Sequence, residues 1–285
     1  MDPAGAPRVV GIDPGPKKGL HCFEGDGESP QPIHKPLSQS RDYLKSLKDK
    51  ESVLVCWDAP LTGPPERALC EDDGPKESDL SQRPIEAFFS RNENGFKVPK
   101  GISVMPYSGC PHWTISRSLL GLPRMGPYDQ KDGLPFQLCT TNYPPKSGAW
   151  IVEVHPAVAL WLWTKDQHNQ TDEQAWRYKK DRVILTRLAG LLKYQLPEGS
   201  LRGMLQSIIN NPGSTGENGK VNGGCTDDDL DCFIAYALGT IWLEGSSKVI
   251  LLGNSDTGSF LVPNVDNIEE KWNDFAPKNH IKAHP

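Results

Sequence analysis

The sequence predicts an α/β fold with a mixed sheet, its first three strands antiparallel and its later strands parallel to the first, flanked by helices. Three observations predict it. Two short β-branched runs, RVVGIDPG (8–15) and SVLVCWDAP (52–60), each reach an acid followed closely by a proline. A helix-period segment lies between them, the signature of a βαβ unit. A third run of buried-strand type, WIVEVHPA (150–157), comes much later and also carries an acid.

Element by element, Val9, Val10 and Ile12 make the first strand, broken by Pro14-Gly15. GLHCFEGDG (19–27) alternates and ends in a turn, so it reads as a hairpin partner, with a poorer third strand at Gln31–Lys35. Residues 38–50 read as an amphipathic helix with Tyr43, Leu44 and Leu47 on one face and Ser38 or Ser40 as cap. The run 52–60 is a continuous apolar strand. From 60 to 149 the texture changes: thirteen of the 26 prolines fall there, and HWTISRSLLGL (112–122) is its main helical stretch. The segment is too long for a loop, so it is expected as an insertion packed on the sheet at the edge where Asp58 lies. After the strand at 150–157 come a helix over AVALWLWTK, a long helix over 171–195 capped by Thr171, and a helix at 200–210. A Gly/Asn-rich loop (211–225) precedes a helix at 226–245 that starts with three acids. KVILLG and SFLVP read as closing strands, followed by a polar tail with Trp272 and Phe275 as anchors. The expectation is one domain over 1–285, with the insertion at 60–149 and a C-terminal hairpin and tail at 246–285.

Composition bounds the function. The 285 residues are 36% apolar and 24% charged, enough for a sizeable core. Gly 27 and Pro 26 exceed the ordinary combined share of about 12%, which predicts long shaped loops. A net charge of −5 argues against gripping nucleic acid by bulk positive charge, though not against a locally basic groove. No stretch is apolar enough for a membrane span, and MDPAGAPRVV has no secretory pattern. The seven cysteines are scattered without a CxxC pair, so the expected setting is intracellular, with reduced thiols.

The acids carry the chemistry. Asp13 and Asp58 end strands, Glu153 lies in a third, and Asp228 and Asp231 are spaced i, i+3 at the start of the 226–245 helix, so they share a face. Strand ends are where α/β proteins build sites. Converging carboxylates repel unless a divalent cation compensates, and hard oxygen donors suit magnesium or manganese. Each acid also has an ordinary reading. Asp13 and Asp58 could open turns, Glu153 could pair with a base, and Asp227–Asp229 could cap a helix. Capping does not account for Asp231, one turn further in.

On these segments the chain resembles the ribonuclease H-like superfamily, and most closely the domain-of-unknown-function 429 family of predicted nucleases. VGIDPGPKKGL (10–20), LVCWDAPL (54–61), IVEVHPAVAL (151–160) and DDLDCFIAYALG (228–239) carry the resemblance, and SQRPIEAFF (81–89) is more loosely similar to the family's Arg- and Glu-containing helix. Asp58 stands where many superfamily members have Glu, and Cys232 where alanine is common. The resemblance implies a ribonuclease H-like sheet and a metal-dependent nuclease hydrolysing phosphodiester bonds by a two-metal mechanism. Asp13, Asp58 and Asp228 or Asp231 would hold two Mg2+ (or Mn2+) ions, and Glu153 would complete the shell or orient a water. Lys17 and Lys18 would neutralise a phosphate, and His155 is a candidate proton shuttle or a structural turn residue. In the insertion, Phe96, Lys97, Lys100, Tyr107, His112, Trp113, Arg117, Arg124, Tyr128 and Lys131 interleave bases and aromatics. They are candidates for holding nucleic acid, Trp113 and Arg117 foremost, or for the insertion's own core. The alternatives are a catalytically silent or unknown-substrate binding module and, behind it, an ATP-dependent phosphotransferase. Asp13-Pro14-Gly15 resembles the first phosphate loop of the latter class, but a second Gly-rich phosphate loop is missing.

Overall fold

The computed structural model describes residues 7–15, 17–25, 32–49, 52–62, 83–90, 96–99, 102, 104, 111–122, 136–168, 173–210, 214–215, 221–222, 226–255 and 257–279. Six strands form the central sheet: β1 (Arg8–Gly15), β2 (Gly19–Glu24), β3 (Pro32–Lys35), β4 (Ser52–Trp57), β5 (Gln137–Leu138) and β6 (Gly148–Glu153). Their order is β3-β2-β1-β4-β6-β5. The meander β1-β2-β3 is antiparallel, and β4, β6 and β5 run parallel to β1. The antiparallel-then-parallel sheet expected from the acid-ended strands is therefore present.

Alternation along the strands sorts side chains into two cores, because successive residues point to opposite faces. Val10, Ile12, Val53, Val55 and Trp57 pack on one face beneath α1 (Leu37–Lys48) and, after α2 (Pro84–Ser90), α3 (Pro111–Leu120). Val9, Leu54, Cys56 and Val152 point to the other. That second face is covered by α4 (Pro156–Thr164), α5 (Arg182–Gln195), α6 (Ser200–Asn210) and α7 (Asp227–Leu243). A separate hairpin of β9 (Val249–Asn254) and β10 (Gly258–Pro263) joins the sheet edge through a bridge between Leu261 and Val154. The tail is a helix, α8 (Ile268–Asn279), with Trp272 and Phe275 both buried.

The main contact positioning the site is α7 on β1. Gly11 makes it possible: a Cβ there would lie 2.0 Å from the Cys232 carbonyl oxygen. Gly239, two turns further along α7, presents the same bare surface, since a Cβ would come 2.4 Å from Cys56 Sγ. The helix thus lies almost on the strand backbone, and its first turns are brought to the carboxyl end of β1.

Three local expectations need correction. The single helix over 171–195 is a short 3-10 turn (Glu173–Trp176), then α5, capped by Asp181, whose carboxylate accepts from Val183 N at 2.8 Å. Asp181 can satisfy the orphan N–H groups of a new helix, so the chain breaks there; Thr171 lies outside the described residues. Helix α1 begins at Leu37 with Pro36 as its cap. Ser40 lies within α1 and donates back to the Pro36 carbonyl. Inside the 211–225 loop, β7 (Ser214–Thr215) pairs with β8 (Val221–Asn222). Cys22, Cys56, Cys139 and Cys232 are buried free thiols. Among the described residues no helix is long and apolar enough to cross a membrane.

Candidate functional site

The parallel pairing of β1 with β4 ends at Ile12 opposite Trp57. One residue beyond, Asp58 N donates to the Ile12 carbonyl at 2.9 Å, which holds Asp58 beside Asp13. By alternation both carboxylates belong to the face covered by α7, since Asp13 follows Val9 and Gly11 while Asp58 follows Leu54 and Cys56. Asp231 enters from α7. The result is a triad in which one carboxylate oxygen from each of Asp13, Asp58 and Asp231 lies within 4.8 Å of the other two. Asp13 is 6% exposed and Asp231 fully buried; Asp58 is half-buried. Among the described residues the carboxylates of Asp13 and Asp58 accept no hydrogen bond and form no ion pair.

Asp13 and Asp58 resist ionisation. Burial, reinforced by Asp231 and Asp228 and opposed by Lys179 and His21, pushes the Asp13 carboxyl up to about 7. Burial and the charges of Asp13 and Asp231 hold Asp58 well above the usual carboxylate range. The donor set fits a hard divalent cation. Three carboxylates supply only oxygen, the donor type that Mg2+ and Mn2+ take, and one oxygen of each already lies within 4.8 Å of the others.

The remaining predicted acids have other partners. Asp228 accepts from Lys18 Nζ at 2.6 Å and lies 3.4 Å from His21 Nε2. Its hydrogen bond to Asp228 raises the Lys18 ammonium above its usual value. Asp229, then Asp228 and Asp13, raise His21. Glu153 is in register with Trp57, which faces the α3 side. It accepts from Leu61 N at 2.9 Å and from Arg83 Nη1 at 2.9 Å. Arg83 also binds the buried Glu86 and reaches Thr62 Oγ1 at 3.0 Å. Burial opposes the charge on Arg83, but Glu153 and Glu86 outweigh it and hold the guanidinium protonated. Glu153 is thus the centre of a closed ion-pair network and stands outside the triad. The ordinary reading, pairing with a base, describes it.

Of the predicted substrate contacts, Lys17 is exposed and Lys18 stands at the rim through Asp228. Trp113, 7% exposed, packs with Val10, Ile12 and Trp57 on the face opposite α7. It is a core residue, not a stacking platform for substrate. Arg117 is half-buried on the same helix, and Phe96 is buried in the core. Lys97 is exposed. Lys100, Tyr107, Arg124, Tyr128 and Lys131, and the side chain of His112, lie outside the described residues. His155 packs its ring against Phe260 at 5.6 Å between centroids.

Two residues of the site escape sequence reasoning. Tyr178 donates to Asp231 Oδ1 at 2.7 Å, and Lys179 Nζ lies 2.8 Å from Asp231 Oδ2. Asp231 foremost raises Lys179 well above its usual value, and burial foremost raises Tyr178. The available signal was Asp181 as an N-cap, which frees the three residues before it from the helix. Neither a scan of protein-family models nor searches of curated proteins and of solved structures found a match to this chain.

Proposed function

We propose that the chain is a divalent-cation-dependent hydrolase of nucleic-acid phosphodiester bonds, built on a ribonuclease H-like sheet. The observation that carries the reading is the triad: three acids from β1, the end of β4 and α7, mutually within 4.8 Å and largely withdrawn from water. Buried carboxylates without protein partners are costly, and a bound cation removes the cost. The strand order and the position of the acids at the carboxyl ends of parallel strands support the ribonuclease H-like part.

Asp13, Asp58 and Asp231 would hold Mg2+ or Mn2+. When bound, such an ion supplies Lewis-acid stabilisation of phosphoryl charge and a water of lowered pKa. The chain's own residues do the rest. The Tyr178 hydroxyl fixes the orientation of Asp231 through its hydrogen bond to Oδ1. Lys18 neutralises Asp228, and the exposed Lys17 adds positive charge beside β1 where an anionic substrate would enter. The Arg83–Glu153–Leu61 contacts pin the chain leaving β4 and thereby the placement of Asp58. The test is cleavage of labelled single- and double-stranded DNA and RNA with Mg2+ or Mn2+, for the wild type and Asp13→Asn. Cleavage by the wild type that Asp13→Asn loses supports the proposal. Equal activity in both, or none on any substrate, contradicts it.

A further inference from the structure

We infer that the acid triad takes one divalent cation, with the Lys179 ammonium standing where a second would sit. The inference rests on the proposed function and narrows it. Asp13 points to a ligand, because the residue is more than nine-tenths buried and its carboxylate, which faces the cluster, has no hydrogen-bond or ion-pair partner among the described residues. Lys179 then decides how many ions the cluster accepts.

Its Nζ lies 2.8 Å from Asp231 Oδ2, while the second oxygen of that carboxylate is engaged by Tyr178. The turn carrying both is held on one side by the buried Tyr178 and on the other by the Asp181 cap of α5. Lys179 is therefore delivered into the cluster by a fixed backbone. When ionised, the triad carries three negative charges. Lys179 cancels one and a single divalent cation cancels the other two, whereas two cations would leave a net positive site. The acids that could serve a second ion are committed elsewhere: Asp228 to Lys18 and Glu153 to Arg83. Ions in a two-metal site sit about 4 Å apart and each needs its own ligands; here the three acids form a single group, one oxygen of each within 4.8 Å of the others. The Lys179 side chain is also half-exposed, so its charge is open to an incoming phosphate. This departs from the two-ion expectation drawn from the family resemblance, and the reason is a lysine that the motifs do not contain.

Calorimetric titration of the full chain with Mn2+ alone, with electron paramagnetic resonance of the loaded protein, tests the count. The wild type and Lys179→Arg should bind one ion and show the spectrum of isolated Mn2+. Lys179→Met should bind two and show magnetic coupling between them. Two coupled ions in the wild type would overturn the inference and leave the proposed function standing. No ion in the wild type would overturn both. A Lys179→Met protein that still binds one ion with unchanged affinity would show that Lys179 holds no cation's place. Should that variant fail to fold, the wild-type count still decides.

Discussion

Asp13 concentrates the chemistry of the site in one carboxyl group. An unfolded aspartate titrates near 4, and the folded one is pushed up to about 7. Between these values the native chain holds a proton that the unfolded chain has lost. Stability of the metal-free protein should accordingly fall as pH rises through this window, by up to about 1.4 kcal/mol per pH unit for one group. Asp13→Asn removes that titration, so in chelator its melting temperature should fall less between pH 5 and 7.5 and should exceed the wild type at the upper end; parallel curves would show that Asp13 carries no such strain. The site at this scale was partly legible in the sequence. Asp13, Asp58 and Asp231 stand out because each departs from an apolar run at a place where an acid has no packing use. Lys179 was invisible because it is joined to Asp231 only through tertiary contact across 52 positions of chain. Glu153 looked equivalent to the strand acids until the register set it beside Trp57 and within reach of Arg83.

At the level of elements, α7 and the Arg83 network hold the acids in place. Gly11→Ala drives a methyl into the backbone of α7, so it should prevent docking and yield little folded protein, read by circular dichroism and soluble yield. Arg83→Met leaves Glu86 and Glu153 buried without their cation, and losing one partner of a buried pair costs about 3–5 kcal/mol. Denaturant unfolding should show a loss of that size, and a loss below about 1 kcal/mol would contradict the closed network. Asp229→Asn is the contrasting case. Asp229 accepts from Thr226 N in a capping box, a role Asn can fill, so cation binding should be unchanged and stability altered by less than about 1 kcal/mol. Element types were legible from periodicity and from turn residues. The break before α5 was not, because the polar run Arg177–Arg182 suits an exposed helix face as well as a turn, and the cap at Asp181 shows its effect only once the chain is folded.

Over the whole molecule, the sheet brings together acids far apart in sequence: β1 and β4 are parallel neighbours, and α7 crosses behind them. This order followed from the acid-ended strands and the intervening helix, since a βαβ connection leaves few topologies. The role of the 60–149 segment did not follow. Its composition of prolines, bases and aromatics fits a groove or a small core equally, and α3 goes to the core. A cation that binds only the folded chain stabilises it, by about 2.7 kcal/mol at a hundredfold excess over Kd. Added Mn2+ should therefore raise the melting temperature of the wild type and leave that of Asp13→Asn nearly unmoved. The most direct test of the central claim is the anomalous scattering of a crystal soaked in Mn2+. A peak bounded by the carboxylates of Asp13, Asp58 and Asp231 is the predicted result; a map with no peak there, at a Mn2+ concentration that saturates the thermal shift, would contradict the account.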